Sequence, residues 1–369
     1  MGKYKIPYAN LAAQHSPIKT ELLDAIGEVL DEGNFILGAQ VEEFERQFSA
    51  LCGTQYAIGV ANGTDALMMA LKVLDIKHGD EVITVPNSFV ASTSCIRLVG
   101  ATPVFVDVCA NQNIDVTQIA AAITSHTRAI LPVHLTGRPA DMNPILALAK
   151  DHQLFVIEDA AQAVGAEYWE RRVGSFGDIG CFSLHPLKTL NACGDAGIIT
   201  TNNPVLAEKL RLLRNLGLRS RDDCVIWSGN SRLDTLQAAI LLVKLRYFKD
   251  WTDRRRQIAA RYRAALQGIP NLYLPQDAAH EKAVYHTFVI QCDQRDALKT
   301  YLAEHGIGTN IHYPLPIHLS NAGRELGYSA GRFPVTEVQA KRILSLPIFQ
   351  ELTDLQIDEV TTTIRRFYT

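Results

Sequence analysis

The segment LFVIEDA, residues 154–160, is an almost unbroken apolar run that ends in two carboxylates. A strand that is covered on both faces needs apolar side chains on both sides, whereas a half-exposed strand alternates apolar with polar residues. Six other segments share this pattern: YAIGV (56–60), EVITVP (81–86), PVFVDV (103–108), RAILPVHL (128–135), IGCFSL (179–184) and GIITT (197–201). We therefore predict a mostly parallel, seven-stranded sheet with helices on both faces, in a protein of the α/β class.

Segments with helical spacing fill several gaps between these strands, as in TDALMMALKVL (64–74), VTQIAAAI (116–123) and NPILALAKDH (143–152). Beyond residue 245 the alternation ends, and a long amphipathic segment (250–269) precedes TFVIQC (287–292) and two further helical segments (295–306 and 351–367). We predict that residues 1–248 form a large α/β domain and residues 249–369 a smaller α+β domain. The charged run DRRRQ (253–257) fits the solvated face of the long helix.

The composition restricts the classes of function. The 369 residues carry a formal net charge of −3, which argues against a general nucleic-acid-binding protein, because such proteins are basic. The seven cysteines are scattered without a C-x-x-C pair, and no His, Cys or Asp cluster has the spacing of metal ligands. No apolar run approaches the ~20 residues that span a bilayer. We expect a soluble, cytoplasmic protein with reduced thiols, no metal, no membrane partner and no nucleic-acid partner.

Polar residues follow several predicted strands, at the edge where parallel α/β sheets bind ligands. In ANGTDAL (61–67), Gly63 lets the backbone approach a ligand, and the N–H groups of Thr64 and Asp65 begin a helix. A helix start favours a phosphate through its unpaired donors and its dipole. The same pattern is also that of an ordinary helix N-cap, so both interpretations stay open here.

Glu158 and Asp159 end the LFVIEDA strand side by side. Adjacent side chains of a strand point to opposite faces, so one carboxylate can face a site while the other has a structural role. A carboxylate at the end of a buried strand needs a cation or a hydrogen-bond donor. Asp159 therefore indicates a positively charged ligand, or else a cap on the next helix.

Lys188 lies in GCFSLHPLKTLNACGDAG (180–197), just beyond another predicted strand end. Burial among apolar neighbours lowers the pKa of a lysine and makes its amine a nucleophile toward carbonyls, the route to a Schiff base. Ser183 can supply a hydroxyl group to an anion. The helix start, the strand-end acid and this lysine together match pyridoxal 5′-phosphate, whose phosphate, ring nitrogen and aldehyde need these three partners.

Many segments, in order along the chain, resemble those of the DegT/DnrJ/EryC1/StrS aminotransferases. Besides the motifs above, they include IPYANLAAQ (6–14), EGNFILGAQVEEFE (32–45), LPVHLTGRPADM (131–142), GNSRLDTLQAAIL (229–241), NIHYPLPIH (310–318) and SLPIFQEL (345–352). This family aminates keto-sugars with pyridoxal phosphate on the fold-type-I aminotransferase scaffold. The resemblance covers nearly the whole chain.

The resemblance implies a role for each matching residue. The cofactor-binding set is Gly63, Thr64, Asp65, Phe89, Asp159, Gln162, Ser183, Lys188 and Asn230, and the substrate-binding set is Tyr313, His318 and His185. Lys188 would form the Schiff base and move protons, Asp159 would pair with the ring nitrogen, Gln162 would lie beside the ring and Phe89 would stack on it.

Gly63, Thr64, Asp65 and Ser183 would bind the phosphate. Asn230 would reach it from a neighbouring subunit, which implies a homodimer with shared active sites. Without the family, Phe89 reads as a core residue, Asn230 as a turn cap and His318 as a loop histidine, while His185 stays undecided between a structural and a substrate-facing role.

The turn after Lys188 bears on the substrate. Its sequence GDAG (194–197) resembles the corresponding turn of family members that act on 3-keto sugars more than that of members that aminate carbon 4. We expect transfer of an amino group from an amino acid, L-glutamate, to a nucleotide-linked 3-keto-deoxyhexose, for a surface polysaccharide or a glycosylated natural product. The alternatives are a nucleotide-free oxidised octulosonate, a 4-keto sugar, or a non-catalytic sugar-binding relative. A cofactor-free lysine lyase would leave Asp159 and Gln162 without a role.

Overall fold

The structure, a computed structural model, describes residues 4–369. Its α-helices are α1 (Leu11–His15), α2 (Lys19–Glu32), α3 (Ala39–Cys52), α4 (Gly63–Val73), α5 (Ala91–Leu98), α6 (Ile119–Ala122), α7 (Met142–Asp151), α8 (Pro204–Arg214), α9 (Thr235–Leu266), α10 (Arg295–Glu304), α11 (Pro334–Arg342) and α12 (Asp354–Tyr368).

The strands of the same residues are β1 (Tyr56–Val60), β2 (Glu81–Thr84), β3 (Thr102–Phe105), β4 (Thr127–Ile130), β5 (Phe155–Asp159), β6 (Glu167–Tyr168), β7 (Arg171–Arg172), β8 (Ile179–Ser183), β9 (Gly197–Thr201), β10 (Leu218–Ser220), β11 (Asp223–Cys224), β12 (Leu272–Tyr273), β13 (Glu281–Lys282), β14 (Phe288–Cys292) and β15 (Ile343–Leu346).

The central sheet has seven strands in the order β1-β9-β8-β5-β4-β2-β3. Only β9 runs against its neighbours; the pairs among β8, β5, β4, β2 and β3 are all parallel. Each strand begins at or next to the first residue of a predicted segment, and the α/β fold class is confirmed. Five predicted segments run on past their strands, two of them by a single residue, because the chain stays buried as it leaves the sheet, for example at Val85 and Leu131.

The sheet is buried on both faces, as the continuous apolar runs require. Neighbouring residues of one strand enter two different hydrophobic clusters: Cys181 belongs to one and Phe182 to the other, and Ile199 and Ile198 divide in the same way. Helices α4, α5, α7 and α8 supply the first cluster, and α3 and α9 the second. This packing leaves the strand ends as the place where polar groups can gather.

A third cluster holds the C-terminal elements together, and α9 connects it to the sheet. The 32 residues of α9 pack first against the sheet, through Leu241 and Phe248, and then against the C-terminal cluster, through Ile258 and Tyr262. The predicted division at residues 248/249 falls inside this continuous helix and stays a prediction. Ile6 joins the C-terminal cluster through a bridge to Ile307, so the N-terminal segment packs there as well.

The run DRRRQ is not a uniformly solvated face. Arg255 is only 7% exposed, so the prediction is wrong for this residue; its side chain lies on the inner side of α9. Within residues 4–369, no helix has the length and apolarity to cross a bilayer, and no group of three His, Cys, Asp or Glu side chains could hold a metal ion.

Candidate active site

A cavity of about 650 Å³ lies beyond the carboxyl ends of the central strands. It gathers most of the residues that the sequence singled out: Gly63, Thr64, Asp65, Phe89, Asp159, Gln162, Ser183, His185, Lys188 and Tyr313. A larger cavity of about 900 Å³ lies between the segment after β3 and the strands β12 and β14, but no lysine or histidine lines it. The chemistry predicted from the sequence therefore belongs to the smaller cavity.

Lys188 sits in a turn after β8, where its N–H donates to the carbonyl of His185 at 2.8 Å. Among the described residues, none accepts a hydrogen bond from its amine, which opens onto the cavity. Burial lowers the pKa of Lys188 to about 8, while the nearby Asp159 carboxylate acts in the opposite direction. The amine is therefore far more often neutral, and nucleophilic, at physiological pH than that of a surface lysine.

Asp159 faces the same cavity from the end of β5 and is almost fully buried. One carboxylate oxygen accepts from the hydroxyl of Ser92 at 2.6 Å, and the other from the N–H of Ala161 at 3.2 Å. Neither donor carries a positive charge. A cation placed against this carboxylate in the cavity would complete its set of partners.

Glu158 points the other way and is wholly buried. The N–H of Ala140 donates to Nδ1 of His134 at 2.9 Å, so the ring proton is on Nε2, which donates to Glu158 at 3.0 Å. Backbone N–H groups complete the set, from Gly174, Phe176 and Gly177 at 2.7, 2.7 and 2.8 Å. The two adjacent carboxylates thus divide into a structural one and a cavity-facing one, as the strand alternation predicted.

The start of α4 forms one wall of the cavity. Asn62 is its N-cap, because its side chain accepts from the N–H of Asp65 at 2.9 Å. The N–H groups of Gly63 and Thr64 have no acceptor within the helix and are free for an anion. At Gly63 an added Cβ would lie 2.6 Å from Cβ of Ser183, so only glycine fits this close approach.

Asp65 also lines this wall, but its groups already have partners. Its N–H is taken by Asn62, and its carboxylate accepts from the Ser231 hydroxyl at 2.7 Å. Asp65 therefore ties α4 to the segment that precedes α9. The groups of this wall that could donate to an anion are the two N–H groups without a helical acceptor and the Ser183 hydroxyl.

Gln162, Tyr313 and Phe89 form another part of the cavity lining. The N–H of Thr136 donates to Oε1 of Gln162 at 2.7 Å, which turns the amide nitrogen toward the Tyr313 hydroxyl at 3.3 Å. The rings of Phe89 and Tyr313 lie 5.8 Å apart. Phe89 is 53% exposed, so it is not a core residue, and its ring is available to a flat ligand.

Two predicted residues are not in the cavity. His318 is completely buried, and its Nε2 lies 3.0 Å from the Glu337 carboxylate, which makes it a structural histidine in this chain. Asn230 is exposed, forms a bridge with Asn215 at the end of α8, and its side-chain oxygen accepts from the N–H of Arg232 at 3.4 Å. Its expected role in a neighbouring subunit stays a prediction.

The cavity lining also includes four aromatic or basic side chains that the sequence did not assign to the site: Tyr8, Arg255, His286 and His312. His312 could have been found, because it precedes Tyr313 in the HYPLPIH motif. Burial and the nearby Lys188 amine lower the pKa of His312 to about 4, and burial holds the pKa of His286 well below its usual value. Both rings are therefore neutral at pH 7.

These groups fit pyridoxal phosphate. Lys188 offers an unpartnered amine, Asp159 a buried acid whose protein partners are neutral, and Gly63 a side-chain-free approach to a helix start. Lys188 would hold the aldehyde carbon, Asp159 the ring nitrogen, and Gly63, Thr64 and Ser183 the phosphate.

Comparison with known proteins gives concordant results. The model of the DegT/DnrJ/EryC1/StrS aminotransferase family matches residues 16–365. The UDP-N-acetyl-3-dehydro-alpha-D-glucosamine 3-aminotransferase of Acidithiobacillus ferrooxidans is 45% identical over 98% of this chain and 97% of its own. The dTDP-3-amino-3,4,6-trideoxy-alpha-D-glucose transaminase of Streptomyces venezuelae is 41% identical over 98% and 96%.

Solved structures agree with these relatives. DesV from S. venezuelae superposes with a TM-score of 0.97, at 41% identity and with 98% of both chains covered. The structure of NtdA from Bacillus subtilis with bound cofactor PMP has a TM-score of 0.92 at 32% identity, covering 98% of this chain and 85% of the other.

Proposed function

The chain belongs to the DegT/DnrJ/EryC1/StrS aminotransferase family and is a pyridoxal-phosphate-dependent aminotransferase, and we propose that it aminates a nucleotide-linked 3-keto sugar with L-glutamate as donor. Two observations support this substrate. The two relatives described above are named for nucleotide-linked 3-amino or 3-keto sugars, and the GDAG turn after Lys188 resembles that of 3-keto members. The observation that carries the transaminase chemistry is the unpartnered Lys188 amine in one cavity with Asp159.

The residues of this chain divide the work. When bound, the cofactor supplies a ring that stabilises negative charge on the carbon bearing the amino group. The Asp159 carboxylate, which is almost fully buried, would pair with the ring nitrogen and favour its protonated form. Lys188, with its pKa lowered to about 8, accepts a proton at Nζ and gives it back. Gly63, Thr64 and Ser183 would hold the phosphate, and Phe89 would stack on the ring.

The test separates the two half-reactions. L-Glutamate added to the purified protein should convert the bound cofactor to its amine form, followed in the visible spectrum, and a UDP- or dTDP-linked 3-keto sugar should restore it. Lys188→Ala should lose both conversions, whereas Lys150→Ala, at an exposed position of α7, should keep them. If wild type converts with glutamate but turns over only an octulosonate or a 4-keto sugar, the proposed acceptor is wrong. If only another amino acid converts the cofactor, the proposed donor is wrong, and if no amino acid does, the protein is a non-catalytic relative.

A cytoplasmic location stays a prediction. We also propose a homodimer in which Asn230 of one subunit completes the phosphate site of the other. The exposed position of Asn230, outside the cavity of its own chain, supports this arrangement. Co-expression of a Lys188→Ala chain with an Asn230→Ala chain tests it. A hybrid dimer would contain one site with both changes and one intact site, so activity should return although each variant alone is impaired. Absence of recovery in a verified hybrid would refute shared sites.

A further inference from the structure

Arg255 is the buried cation in the cavity for which the reaction described so far has no use. It lies on α9, is only 7% exposed, and lines the same cavity as Lys188, near Tyr8 and Ile348. A guanidinium keeps its charge under all physiological conditions. Burial lowers the pKa of Arg255 to about 10, which still leaves it charged at pH 7.

No carboxylate pairs with this charge in the part of the chain that the structure describes. One nitrogen, Nη1, donates to the backbone carbonyls of Ile348, Tyr285 and His286, at 2.9, 3.2 and 3.4 Å. The Nε atom is buried without any acceptor. Glu351 acts on Arg255 electrostatically but is not within ion-pair distance.

The neighbouring arginines of the same run behave differently. Arg254 pairs with Asp354 at 2.7 Å, and Arg256 pairs with Asp253 at 3.0 Å. Both are also more exposed than Arg255. The most buried guanidinium of the three is thus the one without an acidic partner, and a buried charge is costly unless an opposite charge meets it.

The anion that fits this position is a small carboxylate. A guanidinium matches the planar geometry of a carboxylate with two parallel hydrogen bonds. The free N–H groups for a phosphate are on another wall of the cavity, at the start of α4. Arg255 is almost fully buried, and a compact amino acid can reach such a group more easily than the diphosphate of a sugar nucleotide, which carries a bulky nucleoside.

We infer that Arg255 binds a carboxylate of the amino-acid donor and so selects the donor of the first half-reaction. The inference rests on the proposed transaminase function. It assigns Arg255 a binding role separate from the bonds that its Nη1 makes to the backbone. Replacement of Arg255 should therefore lower the affinity for the donor and for its carboxylate analogues while leaving the affinity for the sugar unchanged.

The experiment uses glutarate, which carries the donor's two carboxylates but no amino group, and glutaramide, its uncharged counterpart. Calorimetric titration of the cofactor-loaded enzyme should show that wild type binds glutarate far better than glutaramide. Arg255→Gln should lower the affinity for glutarate by about 10- to 100-fold and remove the preference for glutarate over glutaramide. Arg256→Gln is the matched control, because Arg256 is the next residue on α9 and also donates to backbone carbonyls, yet does not line the cavity.

A purely structural role predicts another pattern. If folded Arg255→Gln binds glutarate within about twofold of wild type, or if wild type shows no preference for glutarate, the inference is overturned. If the glutamine variant fails to fold, two other measurements test the inference. In a crystal structure of wild type with glutarate, a carboxylate of glutarate must lie within hydrogen-bond distance of Arg255. The Arg255→Lys variant must bind glutarate less well than wild type does. Failure of the proposed function looks different, since glutamate would then not convert the cofactor in wild type.

Discussion

Replacing Glu158 by glutamine removes a charge and an acceptor from a buried carboxylate that four donors surround. Each of its oxygens accepts two hydrogen bonds: Oε1 from Phe176 and Gly177, and Oε2 from Gly174 and His134. A glutamine has one acceptor oxygen, so its NH₂ group must face two donors whichever way the amide is turned.

The cost follows from those contacts. A hydrogen bond to a charged group contributes about 1.5–3 kcal/mol, so losing two amounts to about 3–6 kcal/mol of the free energy of unfolding. His134 cannot relieve the conflict by moving its proton to Nδ1, because Nδ1 already accepts from the N–H of Ala140. A loss of this size is a large part of the about 5–15 kcal/mol that typically stabilises a folded protein.

Urea denaturation of Glu158→Gln measures this loss directly. The matched control is Glu43→Gln, since Glu43 also accepts hydrogen bonds from side chains, those of Arg46 and Gln47, but lies on the surface. Water can replace its contacts, so its midpoint should stay near that of wild type. Equal midpoints for the two variants would refute the assignment of Glu158 as a structural carboxylate.

Three further predictions concern the cavity. Borohydride reduction of the cofactor-loaded enzyme should fix the cofactor to Lys188, and mass spectrometry that finds the label on another lysine would contradict the site. Gly63→Val should lower the unfolding free energy by about 1–3 kcal/mol and weaken cofactor binding, because its Cβ would lie 2.6 Å from that of Ser183; unchanged cofactor content would contradict this. Because burial and Lys188 lower the pKa of His312 from 6.5 to about 4, the unfolded chain takes up a proton between these pH values that the folded chain does not. The free energy of unfolding of wild type should therefore fall as the pH drops through this range. In His312→Gln this fall should be smaller, by up to about 3 kcal/mol. An NMR titration that places the pKa of His312 near 6.5 would refute this prediction.

The sequence was most informative where one local pattern determines the structure. Continuous apolar runs placed the central strands, and strand alternation separated the roles of Glu158 and Asp159. The turn around Lys188 was recognisable because a lysine among apolar residues is unusual. These signals depend on neighbours in the sequence, so no long-range contact was needed to read them.

The remaining part of the site depends on contacts between distant segments. Arg255 belongs to a charged run that has the composition of a solvated helix face, and only the packing of α9 shows which arginine turns inward. His286 follows no motif at all. His318 was placed in the sugar pocket by resemblance, but its loop contains Pro314 and Pro316 and has no regular period that would indicate which side chains face inward.

The 32-residue helix α9 also has a mechanical consequence. At about 1.5 Å per residue it is a rod of roughly 48 Å, and it is embedded in hydrophobic clusters at both ends. A rod anchored in this way fixes the distance between the two clusters, so we expect side chains and short loops, rather than a change in this distance, to accommodate substrate entry. Small-angle scattering should accordingly record the same radius of gyration with and without saturating ligands.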